Sequence, residues 1–456
     1  MLWETRGRKI QSQDMLYGHR LGSPPAGNQT YILDGLQRLN TLFAALRGPG
    51  PFATKDDAEN IFFDLETQDF VRETDAELGA RLLPLSRLLS SVDLLRFQRD
   101  RLESDDELVQ RADELANAFR QYKVPVIPIE GDDLDHVTRT FKLLNSQGTP
   151  MDETDMVHAL TWSDDFALRD QLQDLINEIL TPLGWTEVSP DTILRIIKAR
   201  LEIGQYDKHA AEPLARGLRD RPVLLREAVE SIAEVAAMLR TSCGVCSPAL
   251  VPYDLQVVLL ADAMMQPRRR GDPSGVLGQW FFLTTHGELF AGLSGFRVQK
   301  CMEDLRDTVR DGLVRWSGPR PPQLRPLPAR RFDFKSARAK GLGLLLARRR
   351  GNEMAVYLAS HGAQALVPLL TRAEVGAVAS SPGNRFLCRP EEVAGLRDAL
   401  LAGKNVHVEP HLVPAAATDA ARRGEWDEFV RLRFDAMMEA EQTFFRDILA
   451  GVGVDD

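Results

Sequence analysis

The chain has 456 residues, a net charge of −10 and ordinary hydrophobic and charged fractions, enough for two or three domains with real cores. No apolar run approaches the roughly 18 residues of a membrane span, and the start, Met1 to Lys9, lacks an apolar stretch of signal-peptide length, so a cytoplasmic protein with no membrane partner is expected. Four cysteines in so long a chain exclude a disulfide framework. Cys243 and Cys246 form a Cys-x-x-Cys pair, but no second pair follows at finger-like spacing, and the pair reads as a turn carrying two reduced thiols. The acidic balance excludes non-specific nucleic-acid binding by the whole surface. The charge is uneven, however: Asp56 to Asp106 is acidic, while Arg320 to Arg350 is crowded with Arg and Lys around a single acid, Asp333. That stretch is either a contact for DNA phosphates or a solvated face.

In chain order, Thr30-Tyr31-Ile32-Leu33 is β-branched, aromatic and apolar and predicts a buried strand. Leu39, Leu42, Phe43 and Leu46 follow at helical spacing, and Gly48-Pro49-Gly50-Pro51 stops that helix. Ile61 to Leu65 predicts a second strand, Glu103 to Tyr122 an amphipathic helix, and Val124 to Ile129 a third strand whose prolines place it at an edge. After Asp152 helix dominates, over 165–180, 190–203, 223–239, 253–265 and 275–283. Ser317 to Pro328 has the composition of a linker. The chain closes on a strong helix from Glu425 to Leu449, with an apolar stripe through Trp426, Phe429, Val430, Met437, Ala440 and Phe444. The fold class expected is α+β.

The residues best suited to chemistry are Asp34-Gly35-Leu36-Gln37-Arg38, where a strand turns into a helix. Gly35 permits a tight turn or a close approach by a ligand, and Asp34 suits a helix N-cap. At about 100° per residue, Asp34, Gln37, Arg38 and Thr41 share a polar face. A carboxylate, an amide, a guanidinium and a hydroxyl beside free backbone amides suit a phosphate group. A capped amphipathic helix with an ordinary polar face has the same pattern. A second candidate, Phe141 to Pro150, ends one helix near Leu144 and starts the next at Thr149-Pro150. Asn145 and Ser146 either reach a ligand from that turn or satisfy the helix end.

Taken together, these two stretches resemble a known family. Ile32 to Leu42 is similar to the Asp-Gly-Gln-Gln-Arg signature of the GmrSD-type modification-dependent restriction enzymes, and Phe141 to Pro150 resembles that family's Phe-x-x-Leu-Asn-x-x-Gly-x-Pro-Leu block. Phe62 to Leu65 and Leu83-Pro84-Leu85 lie between them in the family's order. Gln279 to Thr284 and Arg331 to Lys340 resemble the helical part of longer members. The resemblance implies a ParB/sulfiredoxin-like N-terminal domain over 1–160, a helical region over 161–317, a proline-rich linker at 318–330 and a small C-terminal domain over 331–456. It also implies binding, and in active members hydrolysis, of a nucleoside triphosphate with Mg²⁺, in the service of restricting foreign DNA. Asp34 and Arg38 then match the family's catalytic positions, and Gly35, Gln37, Thr41, Asn145 and Gly148 its nucleotide-binding positions.

Three departures qualify that expectation. Leu36 stands where the family has a Gln. The family's earlier Pro-x-x-Gln-Arg block has no counterpart after Met1, which implies a member that has lost its start. Ala365-Leu366-Val367-Pro368 stands where the family's HNH nucleases read His-Ile-Phe-Pro, although Gly383-Asn384-Arg385-Phe386-Leu387 resembles their later Asn block. The resemblance therefore implies a degenerate HNH-like C-terminal region. Two alternatives remain: a catalytically inactive member that senses a ligand and acts through partners, and a metal-dependent nuclease using His407 and His411, which with Glu409 form an alternate-position triplet suited to a strand.

Overall fold

A computed structural model describes residues 2–5, 15–16, 19–20, 29–32, 35–47, 61–72, 81–102, 105–131, 140, 153–161, 166–207, 209–266, 271–293, 295–317, 322–404 and 408–454. The chain divides into two compact units, Met1–Met151 and Asp152–Asp456. The first mixes small sheets with helices and the second is mainly helical, as the sequence predicts. No helix among the described residues is long and apolar enough to cross a membrane.

The first unit is organised by two three-stranded sheets. In one, β1 (Leu2–Thr5) is central. A short hairpin, β2 (Met15–Leu16) and β3 (His19–Arg20), lies between β1 and β4 in sequence. β4 (Gln29–Ile32) pairs with β1 antiparallel, Trp3 opposite Tyr31. Trp3 is fully buried and donates from Nε1 to the carbonyl of Gly131 at 2.7 Å. The strand leading into the candidate site thus lies at a sheet edge, and Ile32 is 42% exposed where a buried strand was expected. Alternating side chains of an edge strand with one covered neighbour need not all be enclosed.

α1 (Leu36–Arg47) follows. The second sheet is built on β5 (Ile61–Asp64), which pairs antiparallel with β6 (Asp69–Arg72) and β7 (Leu82–Pro84). α2 (Ser91–Arg101) and α3 (Asp106–Gln121) begin at Ser90 and Asp105, each accepting from a backbone N–H three residues on. Phe63, Leu65, Leu83, Leu88, Phe97 and Ala112 form the core beneath them. β8 (Pro128–Glu130) is a proline-bearing edge strand, shorter and later than the one expected over 124–129, since 124–127 have no regular structure, and it pairs with β1 in parallel.

The second unit opens with α4 (Glu153–Thr161) and α5 (Leu168–Leu175), the latter running into a wider turn over Ile176–Leu180. α6 (Pro190–Arg200), α7 (Ala211–Asp220), α8 (Val223–Cys243), α9 (Asp254–Met264), α10 (Ser274–His286) and α11 (Gly295–Asp311) follow. α9 and α10 are apolar on nearly every side and are almost wholly buried, as such composition requires. The Cys-x-x-Cys pair ends α8: Gly244, at φ +72°, lets the Gly244 and Val245 amides bond back to Arg240 and Leu239. Both thiols are free and buried, and burial pushes Cys243 up to about 12.

Beyond β9 (Val314–Trp316) the proline-rich stretch runs without regular structure over its described residues, 322–328. It does not hang free. Pro322 and Leu327 are buried, and the Arg325 amide donates to the His286 carbonyl at 3.1 Å. α12 (Ala337–Arg350), α13 (Asn352–His361), β10 (Leu366–Pro368), α14 (Arg372–Val375), β11 (Arg385–Leu387), α15 (Glu392–Leu401), α16 (Ala415–Arg422), α17 (Trp426–Leu449) and β12 (Val452–Val454) complete the unit. β12 returns to pair with β9 in parallel.

A buried ion pair joins these parts. Arg338 on α12 donates from both terminal nitrogens to Glu441 on α17, at 2.9 and 2.7 Å, and from Nε to the Arg325 carbonyl at 2.6 Å. His286 of α10 places Nε2 3.4 Å from the same carboxylate, and all three side chains are nearly or wholly buried. Burial opposes ionisation of Glu441, but the hydrogen bonds from Arg338, with His286 close by, hold its carboxyl below the usual range. Removing one partner strands a buried charge, so Glu441→Ala is expected to cost about 3–5 kcal/mol in denaturant unfolding, and the apolar pair Arg338→Met with Glu441→Leu to recover most of it. Because the folded pKa lies below the unfolded one, the contribution is present above the unfolded value and is lost as pH falls through the folded value. A wild-type minus double-variant stability difference that is flat through that acid range would contradict the assignment.

Candidate functional site

The turn into α1 is built by Gly35. Its φ is +89°, a backbone conformation that side-chain-bearing residues avoid. Its carbonyl accepts from the Leu39 amide at 2.9 Å, so Gly35 supplies the first acceptor of the helix. The amides of the first helical turn have no acceptor within the helix, and no acidic side chain stands in that turn to compete for them.

Arg38 folds back over this turn. A Cβ added at Gly35 would lie 3.7 Å from Arg38 Nη2 and 4.0 Å from its Nε. The guanidinium is thus held at contact distance from the helix start. Gln37, Arg38 and Thr41 are all exposed, and the structure brings them together on one stretch of helix surface. Thr41 donates its hydroxyl proton to the Gln37 carbonyl at 2.9 Å, leaving only its lone pairs for a ligand. Leu36 is 39% exposed at the same end. Asp34, Asn145 and Gly148 lie outside the described residues.

The apolar side of α1 differs from expectation. Leu39, Leu42, Phe43 and Leu46 are only half-buried, whereas Ala44 and Ala45 are the buried residues. Small side chains at the far end of the helix let it approach the core, where Ala45 and Leu46 pack with Leu65, Leu85 and Leu88. Phe43 instead meets the ring of His19 edge-on at 5.3 Å. One polar atom escapes sequence reasoning altogether. Asn40 Oδ1 is buried without a hydrogen-bond partner among the described residues, and an Asn in a helix gives no pattern that would mark it.

The C-terminal candidates take different forms. β10 and β11 pair antiparallel, with Val367 opposite Phe386. Fully buried Asn384 clamps the chain between them: its Oδ1 accepts from the Leu370 amide at 3.0 Å, and its Nδ2 donates to the Leu370 and Ala379 carbonyls, both at 2.9 Å. Ala365 is fully buried. The expected strand through Glu409 and His411 is a 3-10 turn, Glu409–His411, with Glu409 exposed and His411 buried. Pro410 lies between them, and its ring and missing N–H disfavour a paired strand. The two side chains therefore do not share a face, and His407 lies outside the described residues. Burial, with Arg350 and Arg433 nearby, pushes His411 down to about 3. Among the described residues no group of three or more His, Cys, Asp or Glu is placed to hold a metal ion.

Part of the basic stretch is internal rather than free to meet phosphates. Arg338 is committed to Glu441, and Lys340, its ammonium depressed by burial, donates to the Val251 carbonyl at 3.0 Å. Arg348 lies over the Phe444 ring.

Residues 5–162 match the family model described as GmrSD restriction endonuclease, N-terminal domain. The chain carries a domain of that family, which points to a component of a restriction or phage-defence system. The match takes in the turn into α1 and ends on α4. No curated protein matches the chain.

The left-handed turn gives a direct test of the local geometry. Gly35→Ala is expected to destabilise the first unit by about 1–2 kcal/mol, the cost of a left-handed conformation for a residue with a Cβ. Arg38→Ala should leave stability nearly unchanged, because an exposed Arg contributes little net. Equal denaturant midpoints for Gly35→Ala and wild type would show that the turn does not need its conformation.

Proposed function

We propose that the GmrSD-type N-terminal domain binds a nucleoside triphosphate at the turn into α1, and that the chain serves a restriction or phage-defence system through that binding. The observation that carries this reading is the guanidinium of Arg38 held over the left-handed turn at Gly35, beside helix amides that have no internal acceptor. Such an arrangement offers a phosphate both charge-assisted bonds from Arg and the positive end of the helix dipole. Gln37 and Thr41 flank the position and would bond the ligand's oxygens or hydroxyls. Asp34, Asn145 and Gly148 complete the motif by position in sequence.

Hydrolysis and its metal form the finer part of the reading. α1 carries no carboxylate, so none of its residues is assigned to Mg²⁺. A divalent ion bound with the nucleotide would neutralise phosphate charge, and Asp34 is the residue nearest in sequence to assist it.

For the C-terminal region we read an HNH-derived element without its general base. The supporting observation is the β10–β11 pair clamped by Asn384 with Ala365 in the place of the histidine. General-base catalysis needs a side chain able to take a proton, and alanine has none.

Two experiments separate these readings from their rivals. In calorimetric titration with ATP and GTP, Arg38→Ala should weaken binding by about tenfold or more, and Leu36→Gln should tighten binding or raise turnover. Equal affinity of wild type and Arg38→Ala would remove the site. Binding without phosphate release would leave the inactive, ligand-sensing form of the reading. In the second experiment, purified protein with Mg²⁺, Mn²⁺ or Ni²⁺ alone should not cleave DNA. Metal-dependent cleavage abolished by Asn384→Ala would overturn the degenerate-nuclease reading.

A further inference from the structure

A cavity of about 530 Å³ opens in the second unit between the end of α12, α15 and the turn bearing His411. Its charged lining comes from Arg350, Lys404, Glu392 and Asp398, and its apolar wall from α15, including Leu396 and Ala399. His411 is 1% exposed, lines the cavity, and has a buried Nε2 with no hydrogen-bond partner among the described residues. Arg350 Nε is likewise buried and without a partner among them. Buried nitrogens of this kind normally find acceptors. Two of them on a single cavity, from separate elements, call for a ligand that supplies acceptor oxygens.

The carboxylates do not fill that need. Glu392 already accepts the Arg389 amide at 2.8 Å and meets Arg350 only through Nη2 at 3.5 Å, so Nε stays open. Asp398 is exposed. Behind His411, fully buried Arg433 stacks its guanidinium 3.6 Å from the centre of the Phe386 ring and donates to the His411 and Gly383 carbonyls at 3.0 and 2.7 Å. Its Nη2 is unpartnered, and no salt bridge with a carboxylate is found for it among the described residues. The surroundings of the ring are therefore cationic on two sides, from Arg350 and Arg433, with Lys404 beyond.

We infer that this cavity binds a small molecule bearing a phosphate group, with Arg350 and Lys404 holding the phosphate and His411 donating to it from Nε2. The volume suits a nucleotide-sized ligand rather than a bare small anion. An Arg and an ammonium on separate elements recognise a multi-oxygen dianion better than one flat carboxylate. The neutral ring donates from Nε2 in the tautomer that carries its proton there. Asp398 is left to accept from hydroxyl or amine groups elsewhere on the ligand.

The test uses the full chain carrying Arg38→Ala, so that binding at the first site is weakened, and reads only the ring of His411. Histidine ring resonances are followed by NMR during titration with inorganic pyrophosphate, ATP and a 5′-phosphorylated DNA oligonucleotide, with His411 assigned by His411→Gln. The expected result is a shift of the His411 resonance by pyrophosphate and ATP at millimolar or lower concentration, with a rise in its titration midpoint as anion charge offsets the flanking guanidiniums. Arg350→Gln and Lys404→Ala should each weaken the response by about tenfold. Both sit at the cavity edge, and unchanged thermal unfolding shows that the variants remain folded. No shift of His411 with any of the three, or a shift unaffected by both substitutions, would overturn the inference. A response to the oligonucleotide alone would overturn the small-molecule assignment.

Discussion

The buried contact of Arg338 with Glu441 is the constraint around which the second unit is arranged. It ties α12 to α17 across 103 residues of sequence, while the third nitrogen of the same guanidinium holds the proline-rich stretch at Arg325. His286 brings α10 to the same carboxylate. A charge pair so deeply enclosed is stable only when its hydrogen-bonding capacity is met, and that requirement fixes the positions of four segments at once. It accounts for the course of the proline-rich stretch: prolines there prevent helix and ladder, yet the Arg325 backbone is held by Arg338 and His286.

Several basic side chains along the chain are used within the fold. Arg338, Lys340 and Arg306 have specific acceptors close by, Arg306 meeting Asp262 at 2.7 and 2.8 Å. Their positive charge is used within the fold. Arg38 differs in setting: it is exposed at the start of α1, whose first turn contains no acidic residue, and it lies against Gly35, whose lack of a side chain leaves room for it.

Long periodic segments were legible in the sequence. The helices anticipated over 223–239, 253–265 and 425–449 are found at Val223–Cys243, Asp254–Met264 and Trp426–Leu449, because burial of a whole face leaves a repeating mark. The turn at Gly35 was legible for a local reason, the Gly between a strand and a helix. What escaped is long-range or small. Arg338 and Glu441 look like ordinary charged residues in their own helices, and only the packing of α12 on α17 makes them partners. The burial of Ala44 and Ala45 ahead of the larger Leu39 and Leu42 depends on how closely one helix end approaches the core. The alternation of His407, Glu409 and His411 suggested a strand, but Pro410 and the 3-10 turn turn Glu409 outward and His411 inward. Asn384 was found through its motif, whereas its work as a backbone clamp is visible only once Leu370 and Ala379 are beside it.

The account's central claim is that the turn into α1 receives the phosphates of a nucleotide. Amide hydrogen exchange of the full chain, with and without saturating ATP or GTP, tests this most directly, because the open amides of the first helical turn report on any acceptor placed against them. The account predicts that nucleotide slows exchange across the segment containing Gly35 to Thr41, and that inorganic phosphate at equal ionic strength protects it less. Tight nucleotide binding with unchanged exchange in that segment would place the ligand elsewhere and contradict the claim.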